Sequence, residues 1–353
     1  MQDTLEEWRP VVDETIETLL PRAVDDAYLR DFFGEPTYAY DPAALQRALS
    51  DPVWDLLDRG GKRWRAVLFL VFVEAFGDDP NSYLEYAVIP EILHNGTIIV
   101  DDVEDGATHR RGSPALHQTH GSDIALNAGN AMYFLPLKVI TRNPADLPPE
   151  IRLDAYEMLM DELNRTHLGQ GMDICWHNQK EIRVTDEEYL EMCACKTGCL
   201  GRIVARLAAI VTDNREYEMA VADYAEDMAV AFQIADDVLD IEYALQEGGD
   251  FGKGVGNDIL EGKKTLMAIH AAENAAPETA ARLEEILWAE DNSDEEVHEA
   301  IGLFESTGSV EYARGVAEEL SESSKSHLEA LDLEAEPKAK LIAFAEFVTQ
   351  RDV

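Results

Sequence analysis

The chain has 353 residues, 71 of them Asp or Glu and 29 Lys or Arg, for a formal net charge of −42. This balance excludes nucleic acid as a partner, because such binding requires a basic face. The hydrophobic content of 46% can form a large core, and no apolar run approaches the roughly 18 residues of a membrane span. The first residues, MQDTLEEWRPVV, lack the basic and apolar regions of a signal peptide, so we expect a cytoplasmic protein.

Helical periodicity extends over most of the chain. Apolar residues recur every three or four positions in seven runs, at residues 6–20, 63–76, 83–105, 123–140, 150–174, 187–211 and 218–244. The sequence after about Ala275 is more polar and predicts peripheral helices with solvated acidic faces. Alternating strand patterns are scarce. The predicted fold class is therefore all-α, with residues 1–353 forming a single large helical bundle.

The few lysines are unevenly distributed. The chain contains only ten, and half of them lie in segments marked by Gly or Thr, which resemble site loops or helix starts. These five are Lys62, Lys196, Lys253, Lys263 and Lys264. A surface so acidic and poor in lysine predicts a halophilic protein, since concentrated salt screens like charges over short distances.

Two aspartate clusters with the same spacing, D-D-x-x-D, begin at Asp101 and Asp236 inside apolar sequence. On a helix, Asp101 shares a face with Asp105, and Asp236 shares a face with Asp240. Magnesium takes one or two carboxylates per ion and completes its shell with water and substrate phosphates. The clusters therefore predict a site for several magnesium ions, with a diphosphate held between them.

The four cysteines are Cys175, Cys193, Cys195 and Cys199. Paired C-x-x-C motifs are absent, and the last three lie in a helical pattern where cysteine packs as a small apolar residue. We therefore expect buried thiols and not zinc ligands. The sequence gives this trio no further role.

Six motifs follow one another between about residues 55 and 270. They are GGKRWRAVL, ILHNGTIIVDDVED followed by HRRGSPALH, GQGMDI, KTGCL, FQIADDVLDI and GKGVGNDILEGKKTL. Together they resemble the trans-isoprenyl diphosphate synthases of the polyprenyl synthetase family, in particular archaeal geranylgeranyl diphosphate synthases. The resemblance implies an isoprenoid-synthase bundle with a central active-site cavity, and a homodimer.

The implied activity is chain-elongating prenyl transfer that depends on Mg²⁺, with three ions expected per site. An allylic prenyl diphosphate ionises, isopentenyl diphosphate attacks the allylic carbon, and a proton is lost. Such a reaction needs cations around the departing diphosphate and an apolar, water-free cavity around the carbocation. The metal ligands implied by the resemblance are Asp101, Asp105 and Asp236, with supporting or water-mediated roles for Asp102, Asp237 and Asp240.

The resemblance also assigns the substrate contacts. The side chains implied to hold the allylic diphosphate are Arg110, Lys196 and Lys253. Those implied to hold the diphosphate of isopentenyl diphosphate are Lys62, Arg65, His94 and Arg111. The residues implied beside the reacting carbons are Thr197, Phe232 and Gln233, of which Thr197 and Gln233, together with Lys196, are the candidate catalytic residues.

Several of these candidates have an alternative interpretation. His94 precedes Asp101 by seven positions and shares its helix face, yet a lone histidine in an apolar helix also occurs as a packed core residue. Arg111, Lys263 and Lys264 are either substrate contacts or members of ion pairs with nearby acids. His109, His117 and His120 show no recognisable ligand spacing.

The chain departs from the family pattern in three places. Asn130 follows Gly129 where many members have aspartate, so the role of this position is open. The connection from Asp240 to Lys253 is longer than in many relatives. The segment around Asp258 lacks the N-D-x-x-S-x-x-x-E spacing of terpene cyclases of similar fold, which favours a synthase over a cyclase.

Product length depends on the residues that precede the first cluster, because the growing tail extends away from the metals. Gly96 and Thr97 stand where farnesyl-producing relatives commonly have an aromatic residue. We therefore expect the tail to pass this level and to stop near Ile92, or near Tyr133 or Phe134 on the following helix. A twenty-carbon geranylgeranyl product is predicted.

Two alternatives remain. The first is a longer product, with twenty-five carbons or the length of a quinone tail. The second is a non-catalytic subunit that regulates a prenyl synthase. Such subunits typically lose one aspartate cluster, whereas this chain keeps both.

Overall fold

The computed structural model describes residues 2–180, 182–245, 256–289 and 292–349. Of the described residues, 79% are helical, which confirms the all-α prediction. In chain order the helices are α1 Gln2–Leu19, α2 Asp26–Phe33, α3 Pro42–Leu45, α4 Asp51–Asp58, α5 Trp64–Ala75, α6 Leu84–Glu104, α7 Leu116–His120, α8 Ser122–Phe134, α9 Lys138–Arg142, α10 Pro149–Asn178, α11 Asp186–Cys193, α12 Cys199–Val211, α13 Glu218–Leu245, α14 Asn257–Leu260, α15 Leu266–Asn274, α16 Pro277–Leu287, α17 Asp294–Ser306, α18 Ser309–Glu329 and α19 Ala335–Thr349. Two short strands, β1 His109–Arg110 and β2 Ser113–Pro114, pair antiparallel as a hairpin.

Two of the predicted helical runs are interrupted. The run over residues 123–140 breaks after Phe134, where the 3-10 turn Leu135–Leu137 contains Pro136. Proline has no N–H, and its ring clashes with the preceding helical turn. The run over residues 187–211 contains a π-helical turn at Ala194–Gly198. Such turns frequently occur at functional sites.

The chain divides into two compact units. The first consists of Met1–Tyr156 with Leu207–Asp213, and the second of Glu157–Arg206 with Asn214–Val353. The sequence predicts one domain over residues 1–353, and this remains a prediction. Each unit contains one aspartate cluster.

The core of the first unit is built on α5 and α6. Every side chain from Ala66 to Val73 on α5 is fully buried, as expected for a helix that is apolar all round. Helix α6 packs against α8 at two glycines. A Cβ added at Gly96 would lie 3.0 Å from the carbonyl oxygen of Gly129, and one at Gly129 would lie 3.2 Å from that of Gly96. This close packing fixes the helix that carries the first cluster.

The core of the second unit surrounds α13, which packs along α18. Apolar side chains from α11, α13, α15, α16, α17 and α18 form one cluster. The start of α11 is fixed by a capping box, in which the Thr185 hydroxyl accepts from the Glu188 N–H and the Glu188 side chain accepts from the Thr185 N–H. This cluster holds the helix that carries the second aspartate cluster.

The second unit also contains a buried ion-pair network. Glu162 of α10 is 1% exposed, and its Oε1 accepts from Nε of Arg202 at 2.9 Å and from a terminal nitrogen of Arg206 at 2.7 Å. Arg165 approaches Oε2 of Glu162 at 3.3 Å. Removing one partner from such a network leaves a buried charge uncompensated, which is strongly destabilising.

None of the helices in the described ranges combines the length and the apolar character that a membrane span requires.

Candidate active site

The first aspartate cluster lies at the C-terminal end of α6. Asp105 is exposed and Asp101 is half-buried, whereas Asp102 is only 2% exposed. Nε of Arg110 donates to Oδ1 of Asp102 at 2.8 Å, and a terminal nitrogen of the same guanidinium also contacts this oxygen. Burial raises the pKa of Asp102, while Arg110 opposes the shift. Asp102 therefore binds the hairpin that carries Arg110.

The second cluster lies on α13 and has the same arrangement. Asp236 is exposed and Asp240 is half-buried, whereas Asp237 is 8% exposed. Both carboxylate oxygens of Asp237 accept hydrogen bonds, Oδ1 from Nε2 of Gln233 and Oδ2 from the Tyr189 hydroxyl, each at 2.9 Å. Burial raises the pKa of Asp237 well above its ordinary value, and these two hydrogen bonds oppose the shift. The middle aspartate of each cluster is thus bound inside its own unit.

The carboxylate chemistry of both clusters fits magnesium. Among the described residues, no three acidic, histidine or cysteine side chains converge to form a metal site by themselves. Magnesium is usually held by one or two carboxylates and completed by water and substrate phosphates, so a pair of carboxylates on each cluster suits it. The pairs with the more accessible side chains are Asp101 with Asp105 and Asp236 with Asp240.

A group of cationic side chains lies beside His94 in the first unit. Burial lowers the pKa of His94 well below its ordinary value, and the guanidiniums of Arg65 and Arg111 lower it further. Nδ1 of His94 has no hydrogen-bond partner. A neutral histidine with an unused ring nitrogen, close to several guanidiniums, is suited to contact an anion. Arg65 is 5% exposed and lies over the Trp64 ring at 4.3 Å.

Arg111 forms the turn of the β1–β2 hairpin. Its φ of 52° and the φ of 72° at Gly112 are both left-handed, as expected for a two-residue hairpin loop. The guanidinium donates to the carbonyl oxygens of Leu56, at 3.2 Å, and Gly60, at 2.6 Å, and to Oδ1 of Asn95, at 3.2 Å. Arg111 therefore connects the hairpin to the GGKR loop and to α6. Its role towards isopentenyl diphosphate stays a prediction.

Two further arginines of this region were not singled out from the sequence. Arg59 donates to the carbonyl oxygens of Arg110, at 3.2 Å, and Pro114, at 2.8 Å, and so holds the hairpin. Arg63, inside GGKR, is 4% exposed and donates to Asp13 at 2.7 Å. Its position within the motif was a usable signal, whereas nothing local distinguishes Arg59. Lys62, between these arginines in the chain, is exposed.

In the second unit, Lys196 and Thr197 lie on the π-helical turn. Nζ of Lys196 is 2.6 Å from Oδ2 of Asp173, which belongs to the GQGMDI motif. The Thr197 hydroxyl donates to Oε1 of Gln233 at 3.3 Å. Phe232, beside Gln233, is half-buried. The structure therefore brings together Thr197 and Gln233, two of the predicted catalytic residues.

A glycine allows α10 to approach this turn. A Cβ added at Gly169 would lie 2.4 Å from the backbone nitrogen of Lys196 and 2.8 Å from its Cα. Backbone atoms cannot move aside as the end of a flexible side chain can. Any larger residue at Gly169 would therefore displace the turn that carries Lys196.

The lysines of the last motif differ in their surroundings. Lys253 lies outside the described residues. Lys263 contacts Asp258 and Glu261, each at 2.9 Å, as its ion-pair interpretation expects, and its substrate role stays a prediction. Lys264 is 7% exposed and donates to two carbonyl oxygens at the C-terminal end of α10, where a cation is favourable.

The first turn of α14 contacts the second cluster directly. The backbone N–H of Asp258 donates to Oδ2 of Asp240 at 3.1 Å. A supporting role for Asp240 is compatible with that contact, and its role towards a metal stays a prediction.

The predicted chain-length residues on α6 are not equivalent. At 100° per residue, Thr97 lies within about 40° of Asp101 around the helix, whereas Ile92 lies about 180° away. Ile92 is 1% exposed, and a Cβ at Gly96 would lie 2.8 Å from Cβ of Met132 on α8. Gly96 is therefore a packing position that cannot accept an aromatic ring without displacing α8. Thr97 is half-buried, and its hydroxyl donates to the carbonyl oxygen of His94 at 2.7 Å.

The remaining candidates differ in their exposure. On α8, Tyr133 is 7% exposed and Phe134 is 65% exposed. Asn130 is exposed on the same helix. The predicted burial of the thiols is confirmed for Cys193, Cys195 and Cys199, whereas Cys175 is exposed. His120 contacts Asp55 at 2.9 Å.

Comparisons with known proteins agree with this arrangement. The family model of polyprenyl synthetase matches residues 46–304. The short chain isoprenyl diphosphate synthase of Methanothermobacter thermautotrophicus is 35% identical over 84% of this chain and 88% of its own length. The geranylfarnesyl diphosphate synthase of Natronomonas pharaonis is 32% identical over 84% of this chain and 88% of its own. The crystal structure of geranylgeranyl pyrophosphate synthetase from Pyrococcus horikoshii Ot3 is 30% identical and superposes with a TM-score of 0.85, covering 99% of this chain and 98% of that one.

The fold and the two aspartate clusters define a prenyltransferase of the isoprenyl diphosphate synthase class. The chain belongs to the polyprenyl synthetase family, which confirms the family resemblance of its motifs.

Proposed function

We propose that this chain is a Mg²⁺-dependent short-chain synthase that condenses isopentenyl diphosphate with allylic diphosphates and makes geranylgeranyl diphosphate. The observation that carries the proposal is the shared design of the two clusters. In each, the outer aspartates are more accessible than the middle one, which is bound by protein donors. Two pairs of carboxylates suit a reaction whose leaving group is a diphosphate.

The residues of the first unit have two roles in this proposal. Asp101 and Asp105 ligate magnesium, and Arg110 contacts the allylic diphosphate. Arg65, His94, Arg111 and Lys62 bind the diphosphate of isopentenyl diphosphate without the metal. Guanidiniums contact phosphate oxygens in a bidentate manner, and a lysine acts as a point charge.

The residues of the second unit have corresponding roles in this proposal. Asp236 ligates magnesium with Asp240 in a supporting role, and Lys196 contacts the allylic diphosphate. Bound magnesium supplies the positive charge that stabilises the diphosphate as its bond to the allylic carbon breaks. Thr197, Gln233 and Phe232 lie beside the reacting carbons, where isopentenyl diphosphate forms the new carbon–carbon bond and then loses a proton. We expect three ions per site.

The proposed chain length of the product depends on Thr97. The side chain on the Asp101 face of α6, one turn before the cluster, is a threonine and leaves more room than an aromatic ring. This supports a tail longer than farnesyl. Twenty-five carbons is the second candidate, since the relative from Natronomonas pharaonis is a geranylfarnesyl diphosphate synthase.

A direct assay tests both the synthase activity and the product length. The purified chain is incubated with labelled isopentenyl diphosphate, farnesyl diphosphate and Mg²⁺, and the dephosphorylated products are separated by chromatography. We expect a twenty-carbon alcohol. A twenty-five-carbon alcohol would replace the length assignment by its second candidate. No incorporation would contradict the synthase and favour the regulatory subunit.

We also propose a homodimer. The family analogy supports it, and so do apolar side chains that the first unit leaves exposed, among them Phe134, Leu153 and Tyr156. Size-exclusion chromatography with light scattering is expected to give twice the mass of one chain. A monomer at micromolar concentration would contradict the proposal.

A further inference from the structure

Four side chains of the second unit form one line of hydrogen bonds. The Tyr189 hydroxyl donates to Oδ2 of Asp237, and Nε2 of Gln233 donates to Oδ1 of the same carboxylate, each at 2.9 Å. The Thr197 hydroxyl donates to Oε1 of Gln233 at 3.3 Å. The line therefore starts at Tyr189 and ends at Thr197, next to Lys196. Tyr189 is the member that the proposed reaction does not use.

Tyr189 is held firmly at the start of this line. Its ring is 2% exposed in the apolar cluster that includes Val230 and Ile234 of α13. The capping box of Thr185 fixes the first turn of α11, on which Tyr189 lies. A buried phenol requires a partner for its hydroxyl, and here the partner is Asp237.

Only one orientation of the Gln233 amide allows both of its hydrogen bonds, one to Asp237 and one to Thr197. A carboxylate accepts hydrogen bonds, so the NH₂ group of Gln233 must face Asp237. The carbonyl oxygen of Gln233 then faces the Thr197 hydroxyl, which is 3.3 Å away. Rotating the amide by 180° would place an oxygen against a carboxylate and an NH₂ group against the Thr197 hydroxyl. The orientation of Gln233 therefore depends on the position of Asp237.

We propose that Tyr189 is a positioning residue that, through Asp237, fixes the orientation of the Gln233 amide beside Thr197. The inference rests on the proposed function, because Thr197 and Gln233 matter only if they lie beside the reacting carbons. Tyr189 itself does not touch substrate in this account. Its hydroxyl holds one oxygen of Asp237, so that the other stays available to Gln233.

Tyr189→Phe in the full chain tests the proposal. The variant removes one buried hydroxyl and leaves an oxygen of Asp237 without its donor. We expect kcat for prenyl transfer to fall about tenfold, which is the scale of one lost buried hydrogen bond. The KM for isopentenyl diphosphate and the Mg²⁺ concentration for half-maximal rate should change less than about twofold, because the proposed diphosphate contacts remain.

Tyr224→Phe is the matched control. Tyr224 is also fully buried in the second unit, and its hydroxyl donates to the carbonyl oxygen of Leu341 at 2.6 Å, away from the four-residue line. Both substitutions should lower the melting temperature, while only Tyr189→Phe should lower kcat at a temperature where both variants are folded. Equal kcat in the two variants would overturn the proposal.

A double-mutant cycle asks whether Tyr189 acts through Gln233. In a Gln233→Ala background, Tyr189→Phe should change kcat by less than about twofold, since the amide to be oriented is absent. Effects of the two substitutions that simply multiply would mean that Tyr189 acts independently of Gln233, and the inference would be wrong. Failure of the wild-type chain to elongate any primer would instead reject the proposed function.

Discussion

Arg110 donates to Oδ1 of Asp102 from Nε at 2.8 Å and contacts the same oxygen from a terminal nitrogen. The two residues join the hairpin to the end of α6 and leave Asp101 and Asp105 as the more accessible carboxylates of the first cluster. Asp237 occupies the corresponding place in the second cluster, with Tyr189 and Gln233 as its donors. In both clusters, the middle aspartate is bound by the protein and the outer pair remains more accessible to a metal.

The outer aspartates should be essential for activity. Asp101→Ala or Asp236→Ala should reduce turnover by about three orders of magnitude at saturating magnesium, because charge stabilisation of the leaving group is lost. The helical circular dichroism should not change. Glu104→Ala, beside the same cluster, is the control and should keep most of the activity. Near-normal turnover of either aspartate variant would remove the metal assignment.

The Thr97 side of α6 should control product length. Thr97→Phe places an aromatic ring on the face of Asp101, so we expect the product to shift from geranylgeranyl to farnesyl diphosphate while consumption of the first primer is largely preserved. Tyr133→Ala should lengthen the product. Chromatography of the dephosphorylated alcohols measures both, and an unchanged profile in the two variants would mean that the tail extends elsewhere.

A phenylalanine at Gly96 should have a different effect from a phenylalanine at Thr97. A Cβ there would already lie 2.8 Å from Cβ of Met132 and 3.0 Å from the carbonyl oxygen of Gly129. Gly96→Phe should therefore destabilise the protein, with a loss on the scale of about 1–3 kcal/mol or more for overpacking. Thermal unfolding followed by circular dichroism measures this. A Gly96→Phe variant as stable as the wild type would show that α6 and α8 separate easily.

Salt should stabilise the protein. At a net charge of −42, surface carboxylates repel one another in dilute buffer, and at 1 M salt screening acts over about 3 Å. The melting temperature and the activity should both rise as potassium chloride approaches molar concentration. Maximal stability in dilute buffer would contradict the halophilic interpretation.

The thiols should separate into one reactive and three protected groups. Burial raises the pKa of Cys199 to about 12 and also raises the pKa of Cys193, so neither forms the reactive thiolate at pH 7.5. Cys195 is 3% exposed, whereas Cys175 is exposed. Native protein should therefore take up one equivalent of N-ethylmaleimide, and unfolded protein four. Rapid native labelling at three or four sites would contradict the packing around the π-helical turn.

The position of the two aspartate clusters on helices was predictable, because each cluster lies inside apolar sequence with helical periodicity. Their spacing also matched one face of a helix. The contacts of Asp237 were not predictable, since Tyr189 lies 48 positions away and resembles any core aromatic residue. The same holds for Gly169, whose contact with Lys196 depends on how α10 packs against the π-helical turn. The helix break at Pro136 could have been read from the proline itself.

The contact of Gly96 with α8 is a feature that local sequence does not predict. Gly96 lies next to Thr97 in the chain, and both seemed to face the same cavity. Helix geometry separates them by 100° per residue, and the packing of α8 decides which of the two has room. Side-chain direction can be estimated from periodicity, whereas the distance to a neighbouring helix requires the tertiary structure.

The π-helical turn at Ala194–Gly198 contains one residue more than an α-helical turn would hold in the same rise. Deleting a single residue from this turn would therefore restore continuous α-helix rather than break it. The regular helix would change the directions in which the side chains of this turn, Lys196 and Thr197 among them, now point. A one-residue deletion in this turn would thus leave a folded chain with these side chains redirected, whereas a deletion of the same size in α13 before Asp236 would shift every residue of the second cluster.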